Sequence, residues 1–215
     1  MNNYIIPTTV VDNFFDNPRM VREFAEKQTY AKDEFNQWPG ERTESIHKLN
    51  PDFFSNTVNK FLRIFYPDSV HTEWSGFGFF QRISNVYDQG WIHVDGTVIT
   101  GIVYLNEDSN PKAGTTIYQP KTLGEQMLHV DKRTEANAFP EKSKEYRNYR
   151  EENASQFEES IVLKNKFNRL VAFDSHLYHA GNDFANEDQS NRLTMVFFLD
   201  KLYTDAFPLQ RTKRT

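Results

Sequence analysis

The chain has 215 residues and no cysteine, so disulfides and thiolate ligands are excluded and any metal must be held by nitrogen and oxygen. Its formal net charge of −5 gives no overall attraction to a phosphate backbone, which argues against nucleic acid as a partner. No apolar run reaches the roughly 18 residues needed to cross a bilayer, and Met1-Asn2-Asn3-Tyr4-Ile5-Ile6-Pro7 lacks a basic flank and a cleavable apolar stretch, so a soluble, cytoplasmic protein without a membrane partner is expected.

With no long linker in the sequence, one domain over residues 1–215 is expected, with helical support over 1–70 and a β core over 71–200. Asp16-Asn17-Pro18, followed by Met20, Val21, Phe24 and Ala25, reads as a capped helix start with Pro18 at the first helical position. A second helix is predicted over 51–66, with Phe54, Val58, Phe61, Leu62 and Phe65 on one stripe and Pro67 ending it. From His71 the periodicity becomes that of strands, predicted over 74–83, 91–95, 98–105, 115–118, 170–173 and 193–199. Turn signals separate them at Asn85, 88–90, 108–111 and 185–190. The 19 Phe concentrate in runs such as Phe77-Gly78-Phe79-Phe80 and Val196-Phe197-Phe198-Leu199, which suit buried strands. Such a series predicts a mainly β (α+β) double-sheet jelly roll buttressed by N-terminal helices, with a ligand mouth at its open end.

Residues 121–160 are polar and read as a partly helical insertion, with an exposed helix over 142–152. A solvated surface segment is the expected outcome. A lid bringing Tyr146 and Tyr149 to a substrate is the alternative. The basic tail Arg211-Thr212-Lys213-Arg214 reads as a solvated terminus.

His93-Val94-Asp95 carries the chemistry. On an extended strand alternate side chains share a face, so His93 and Asp95 can grip one ion while Val94 points away. A later antiparallel strand bringing His179 alongside would supply a third ligand. Two neutral imidazoles and one carboxylate leave the opposite face of a first-row metal open, as non-heme iron(II) chemistry requires. Arg192, in Asn191-Arg192-Leu193-Thr194, is then the candidate anchor for a dicarboxylate. Its planar fork can donate two parallel hydrogen bonds, and Thr194 shares its strand face.

Several segments resemble the iron(II)- and 2-oxoglutarate-dependent oxygenase superfamily, within it the prolyl-4-hydroxylase-like branch and its small microbial or phage-borne members. Tyr87-Asp88-Gln89-Gly90-Trp91-Ile92-His93-Val94-Asp95 resembles that branch's Tyr-x-x-Gly lead into H-x-D. Thr100-Gly101-Ile102-Val103-Tyr104-Leu105-Asn106 is similar to its T-x-x-x-Y-L-N strand, and Ala113-Gly114-Thr115-Thr116-Ile117-Tyr118 to its glycine turn and strand. Asn168-Arg169-Leu170-Val171-Ala172-Phe173 and His179-Ala180-Gly181 are similar to its distal-histidine element.

The resemblance implies a double-stranded β-helix holding iron(II) through His93, Asp95 and His179, with 2-oxoglutarate as co-substrate beside dioxygen; it leaves room for ascorbate as an accessory. The implied reaction hydroxylates a C–H bond of a protein side chain, prolyl among them, or of a small molecule, and releases succinate and CO2. Tyr87 would hydrogen-bond the 2-oxoglutarate, as the family's matching tyrosine does. Iron(II) with Asp95 has one net positive charge, 2-oxoglutarate brings two negative and Arg192 one positive, so the loaded site is neutral and can be buried. Asp95 in place of a small residue speaks against a halogenase.

His47, His71, His129 and His176 read as structural or exposed, with His176 a reserve ligand. Adjacent residues alternate in direction, so Asp174-Ser175-His176 cannot form a hydrolase relay. Two rivals stand beside the dioxygenase: a cupin-type metalloenzyme without 2-oxoglutarate, and a non-catalytic jelly-roll binding or virion protein. The oligomeric state is not legible in the sequence.

Overall fold

Proline and asparagine punctuate the start of the chain in a computed structural model that describes residues 6–34, 38–84, 87–108, 110–122, 133–141, 143–184, 192–206 and 208. In chain order its elements are β1 (Thr9–Val11), α1 (Pro18–Glu26), β2 (Tyr30–Lys32), β3 (Glu41–Thr43), α2 (Ile46–Leu49) and α3 (Pro51–Phe65). There follow β4 (Thr72–Ile83), β5 (Ile99–Tyr104), β6 (Thr115–Pro120), α4 (Arg133–Ala136), α5 (Lys144–Ser155), β7 (Phe157–Leu163), β8 (Leu170–Asp174), β9 (Tyr178–Gly181) and β10 (Arg192–Thr204). No helix among the described residues is long and apolar enough to cross a membrane.

Proline opens α1 and α3 at a position where its missing N–H costs nothing. Asn50 caps α3 by accepting a hydrogen bond from the Phe53 N–H at 3.0 Å. Asn17 precedes α1 without such a bond, and neighbouring Asp16 instead meets Lys60 of α3 at 3.0 Å.

The strands form a seven-stranded sheet in the order β1-β8-β5-β10-β4-β3-β2 and a three-stranded sheet in the order β7-β6-β9, paired antiparallel. This is the predicted jelly roll. Both faces of the large sheet are buried, for different purposes. On the outer face the α3 stripe of Phe54, Val58, Phe61, Leu62 and Phe65 packs with Leu193, Met195, Phe197 and Leu199 of β10. Phe61 and Phe197 lie with ring centroids 5.5 Å apart. The Phe197 ring covers Gly101 so closely that a Cβ there would fall 2.1 Å from its Cζ, which explains a glycine in mid-strand. On the inner face Ile117 and Leu163 of the small sheet pack on Ile102, Tyr104, Val171, Phe173, Val196 and Phe198.

The structure departs from the sequence expectations at defined places. β1, β2, β3, α2, β7 and β9 are too short or too polar to announce themselves. Residues 91–95 do not form a regular strand, because their backbone partners are divided. His93 pairs with His179 in an isolated bridge, the Ile92 N–H donates to the Asn153 side chain at 3.1 Å, and the Asp95 N–H to the Ser175 carbonyl at 2.8 Å.

Within 121–160, helix α5 is not a fully solvated face, and β7 begins inside the segment. Tyr146 is buried and accepts a hydrogen bond from Trp91 Nε1 at 2.9 Å, while Arg150 reaches Asp88 at 3.1 Å. Tyr149 stacks beside Phe139, with ring centroids 6.0 Å apart. Residues 123–132, including His129, lie outside the described residues, as do Asn85, Lys142, the 185–190 turn and the basic tail.

Candidate metal centre

The segment leading to His93 is held from two sides. The Gly90 N–H donates to the Gly181 carbonyl at 2.7 Å, and the His93 and His179 backbones exchange hydrogen bonds of 3.1 and 2.9 Å. Opposite them α5 supplies Asn153 and Tyr146 to Ile92 and Trp91. Six residues without regular strand structure are thereby fixed in place, and β9 delivers His179 beside them.

Donor atoms of His93, Asp95 and His179 all lie within 4.8 Å of one another. His93 Nε2 is 3.5 Å from Asp95 Oδ1, and His179 Nε2 is 3.3 Å from Asp95 Oδ2. Each ring's other nitrogen is engaged by backbone, His93 Nδ1 with the Trp91 carbonyl at 2.8 Å and His179 Nδ1 with the Leu177 carbonyl at 2.9 Å. A carbonyl can only accept, so both Nδ1 atoms carry a proton and the Nε2 atoms face the carboxylate, to which an Nε2–H donates until a metal displaces that proton. Neutral imidazoles with Nε2 free are what a divalent metal binds.

Burial disfavours the charged form of His93, and the neighbouring His179 adds to that effect. Burial works against the Asp95 charge too, but hydrogen bonding to His179 and His93 outweighs it and holds the carboxyl well below the usual carboxylate range. Thr100 Oγ1 donates to Asp95 Oδ2 at 2.7 Å, and the hydroxyls of Thr97 and Thr100 meet that of buried Ser175 at 2.8 and 2.9 Å. This hydroxyl cluster orients the carboxylate, a common companion of metal ligands.

Arg192 lines the same cavity as the three donors. Its Nε donates to the Ala113 carbonyl at 2.9 Å and a terminal nitrogen reaches the Gly114 carbonyl at 3.5 Å. The guanidinium lies 5.3 Å from the ring centroid of Tyr104 and 5.3 Å from that of Phe184. Among the described residues no carboxylate pairs with it, and burial works against its charge. Thr194, wholly buried and two residues along the same face, has a hydroxyl with no hydrogen-bond partner. A buried cation without a counter-ion and a buried hydroxyl without an acceptor both cost free energy, and both would be satisfied by an anion.

One expected site residue lies apart from the donors, and a tyrosine not singled out lies beside Arg192. Tyr87 lines an adjoining cavity of about 330 Å³ rather than the one that holds the donors. Tyr104 takes the position beside Arg192: it is buried, its hydroxyl meets Thr115 Oγ1 at 2.9 Å, and burial pushes its phenol up. The signal was present in the Tyr104-Leu105-Asn106 motif, where Asn106 Oδ1 also accepts from the Leu193 N–H at 2.6 Å and seats the start of β10. His176 is exposed and pairs with Asp174 at 3.2 Å, while Ser175 turns to the threonines, so neither a reserve ligand nor a relay forms. His47 and His71 are exposed.

Fold and site together define a jelly roll with a two-histidine, one-carboxylate donor set in its mouth. The family model described as "Family of unknown function (DUF6445)" matches residues 3–199, and the chain belongs to that family. No curated protein sequence matches it. Among solved structures, HygX from Streptomyces hygroscopicus with nickel and 2-oxoglutarate bound is 12% identical with a TM-score of 0.52, over 90% of this chain and 82% of that one. AviO1 from Streptomyces viridochromogenes Tue57 is also 12% identical with a TM-score of 0.52, over 92% of this chain and 90% of that one. A prolyl hydroxylase from Trichoplax adhaerens, in complex with a hypoxia inducible factor peptide fragment, is 12% identical with a TM-score of 0.50, over 91% and 84%. At such identities the likeness is one of fold.

Proposed function

We propose that the protein is an iron(II)- and 2-oxoglutarate-dependent dioxygenase that hydroxylates a C–H bond of a protein side chain or a small molecule, releasing succinate and CO2. The observation that carries this reading is Arg192, a buried guanidinium lining the same cavity as the three candidate donors with no carboxylate of the chain beside it among the described residues. The unpartnered Thr194 hydroxyl on the same face supports it. A cupin-type metalloenzyme without 2-oxoglutarate would need no such anchor, and a non-catalytic binding protein would form no succinate.

His93, Asp95 and His179 would hold the metal, and Arg192, Thr194 and Tyr104 the far carboxylate of 2-oxoglutarate. Once bound, metal and co-substrate supply the activation of dioxygen. The chain's own residues hold a proton on each Nδ1 through the Trp91 and Leu177 carbonyls, leaving Nε2 for the metal, and aim Asp95 through Thr100. They would also pair the far carboxylate with a fixed guanidinium in a site sheltered from water, where charge pairing is strong. Neighbours of this fold have been seen with a small molecule, hygromycin B, and with a peptide, so both substrate classes are compatible with the scaffold.

Anaerobic addition of iron(II) and 2-oxoglutarate to metal-free protein tests the reading. A visible charge-transfer band of the chelate is expected, and Asp95→Ala should remove it. Its absence in the wild type at saturating ligand would overturn the assignment.

A further inference from the structure

A second guanidinium reaches the same cavity from the edge of the large sheet. Arg42 of β3 pairs in register with Gln81 of β4, Gln81 with Thr194 of β10, and Thr194 with Tyr104 of β5. These four residues form one row across the inner face, on strands roughly 4.8 Å apart. Arg42 therefore lies on the opposite flank of Thr194 from Tyr104, and it lines the cavity with the metal donors.

Its ring contacts are aromatic on several sides. The guanidinium stacks on Trp38 at 4.3 Å from the ring centroid, with Phe79 at 5.5 Å and Phe198 at 5.9 Å. Its recorded hydrogen bond is a long one of 3.5 Å to the Gln81 amide oxygen, and its Nε is buried with no partner. Gln81 is itself fixed, donating to the Pro39 carbonyl at 2.8 Å. Burial holds the guanidinium down to about 10, with the charges of Asp95 and Asp33 acting the other way, yet neither carboxylate forms an ion pair with it. A planar cation stacked on one face keeps its donor edge free for a bidentate acceptor.

Charge points to what that acceptor is. Iron(II), Asp95, 2-oxoglutarate and Arg192 together are neutral, and Arg42 adds a further cation to the lining, as does Arg133, so a second carboxylate entering this weakly polar cavity would meet positive charge. Trp38 and Pro39 are walls common to this cavity and to the adjoining one of about 330 Å³, which is large enough for the body of a small ligand. Resting on the dioxygenase reading, we infer that the primary substrate is a small molecule bearing a carboxylate. Arg42 and Gln81 bind that carboxylate, and the rest of the molecule lies against the Trp38-Pro39 wall. Arg192 serves the co-substrate and Arg42 the substrate.

The test uses protein loaded anaerobically with iron(II) and 2-oxoglutarate, so that the Arg192 site is filled. A panel of N-acetyl amino acids with free carboxylates, and the same compounds as carboxamides, is titrated by calorimetry. At least one carboxylate should bind, with its carboxamide about tenfold to a hundredfold weaker. Arg42→Met should abolish that preference and Arg42→Lys retain part of it, while both variants still take up 2-oxoglutarate and keep the wild-type circular dichroism spectrum. Three results would overturn the inference: no carboxylate in the panel binds, carboxamides bind as tightly, or the preference survives in Arg42→Met. Loss of 2-oxoglutarate uptake in Arg42→Met but not in Arg192→Met would also overturn it, by making Arg42 the co-substrate anchor. If the wild type takes up no 2-oxoglutarate before any probe is added, the dioxygenase reading itself fails.

Discussion

Along β10, Leu193, Met195, Phe197 and Leu199 turn toward the helices and join an apolar cluster, whereas Arg192, Thr194, Val196 and Phe198 turn toward the small sheet. The outer set is complete in itself. Among the described residues the inner set carries a cation without a counter-ion and a hydroxyl without a partner, on a strand whose first eight residues are all buried. A protein interior tolerates such groups at a cost of free energy, so the inner face is organised for something that binds there and the outer face for stability.

Substitutions on the two faces should therefore separate stability from ligand binding. Phe197→Ala, on the outer face, should cost about 3–5 kcal/mol in denaturant unfolding, while the folded fraction still forms the iron chelate. A cost below about 1 kcal/mol would refute the outer face's role. Arg192→Met should weaken 2-oxoglutarate binding by about 1.5–3 kcal/mol with no loss of thermal stability in the ligand-free protein, because a buried unpaired charge is removed. Unchanged affinity in calorimetry would break the functional reading of the inner face. Thr194→Val keeps the side chain's shape and removes the orphan hydroxyl. It should raise ligand-free stability by about 1 kcal/mol and lower 2-oxoglutarate affinity severalfold, whereas a loss of stability would show that the hydroxyl is already satisfied.

A rim contact provides the smallest effect and a control outside both faces. Asp12, just beyond β1, receives Arg169 at 2.6 Å and Lys166 at 2.8 Å, and those hydrogen bonds hold its carboxyl well below the ordinary range. A depressed folded value means the contact stabilises above the unfolded pKa of about 3.9 and that this gain disappears as pH falls through the folded value. Since the pair is partly exposed, Asp12→Asn should cost only about 0.2–1 kcal/mol at pH 7. The gap between variant and wild type should close in acid, and a gap that widens there would contradict the assignment.

Long apolar patterns were the most legible parts of the chain. The α3 stripe and the β4, β5, β8 and β10 runs repeat with helix or strand periods over enough residues to declare their class. Short elements were not legible: β2 and β3 contain Tyr30-Ala31-Lys32 and Glu41-Arg42-Thr43, which have no alternation to detect. Helix α5 looked solvated because its buried residues are Tyr146, Arg150 and Asn153, polar side chains whose partners lie on the 88–92 segment. In the candidate centre, His93, Asp95, His179 and Arg192 were visible as residue types in order along the chain. Tyr104 was visible only as part of a strand motif, and Arg42 not at all.

Taken by itself, the order of residues determined which atoms could act as ligands, that none is a thiolate, and which runs would be buried. Tertiary structure alone decided that Tyr104 stands beside Arg192 while Tyr87 lines the adjoining cavity, and that Arg42 shares a cavity with the candidate metal donors. Those relations depend on strand register, which sets residues far apart in the chain opposite one another. They depend also on whether a buried charge meets its opposite across space, and linear spacing carries no record of that.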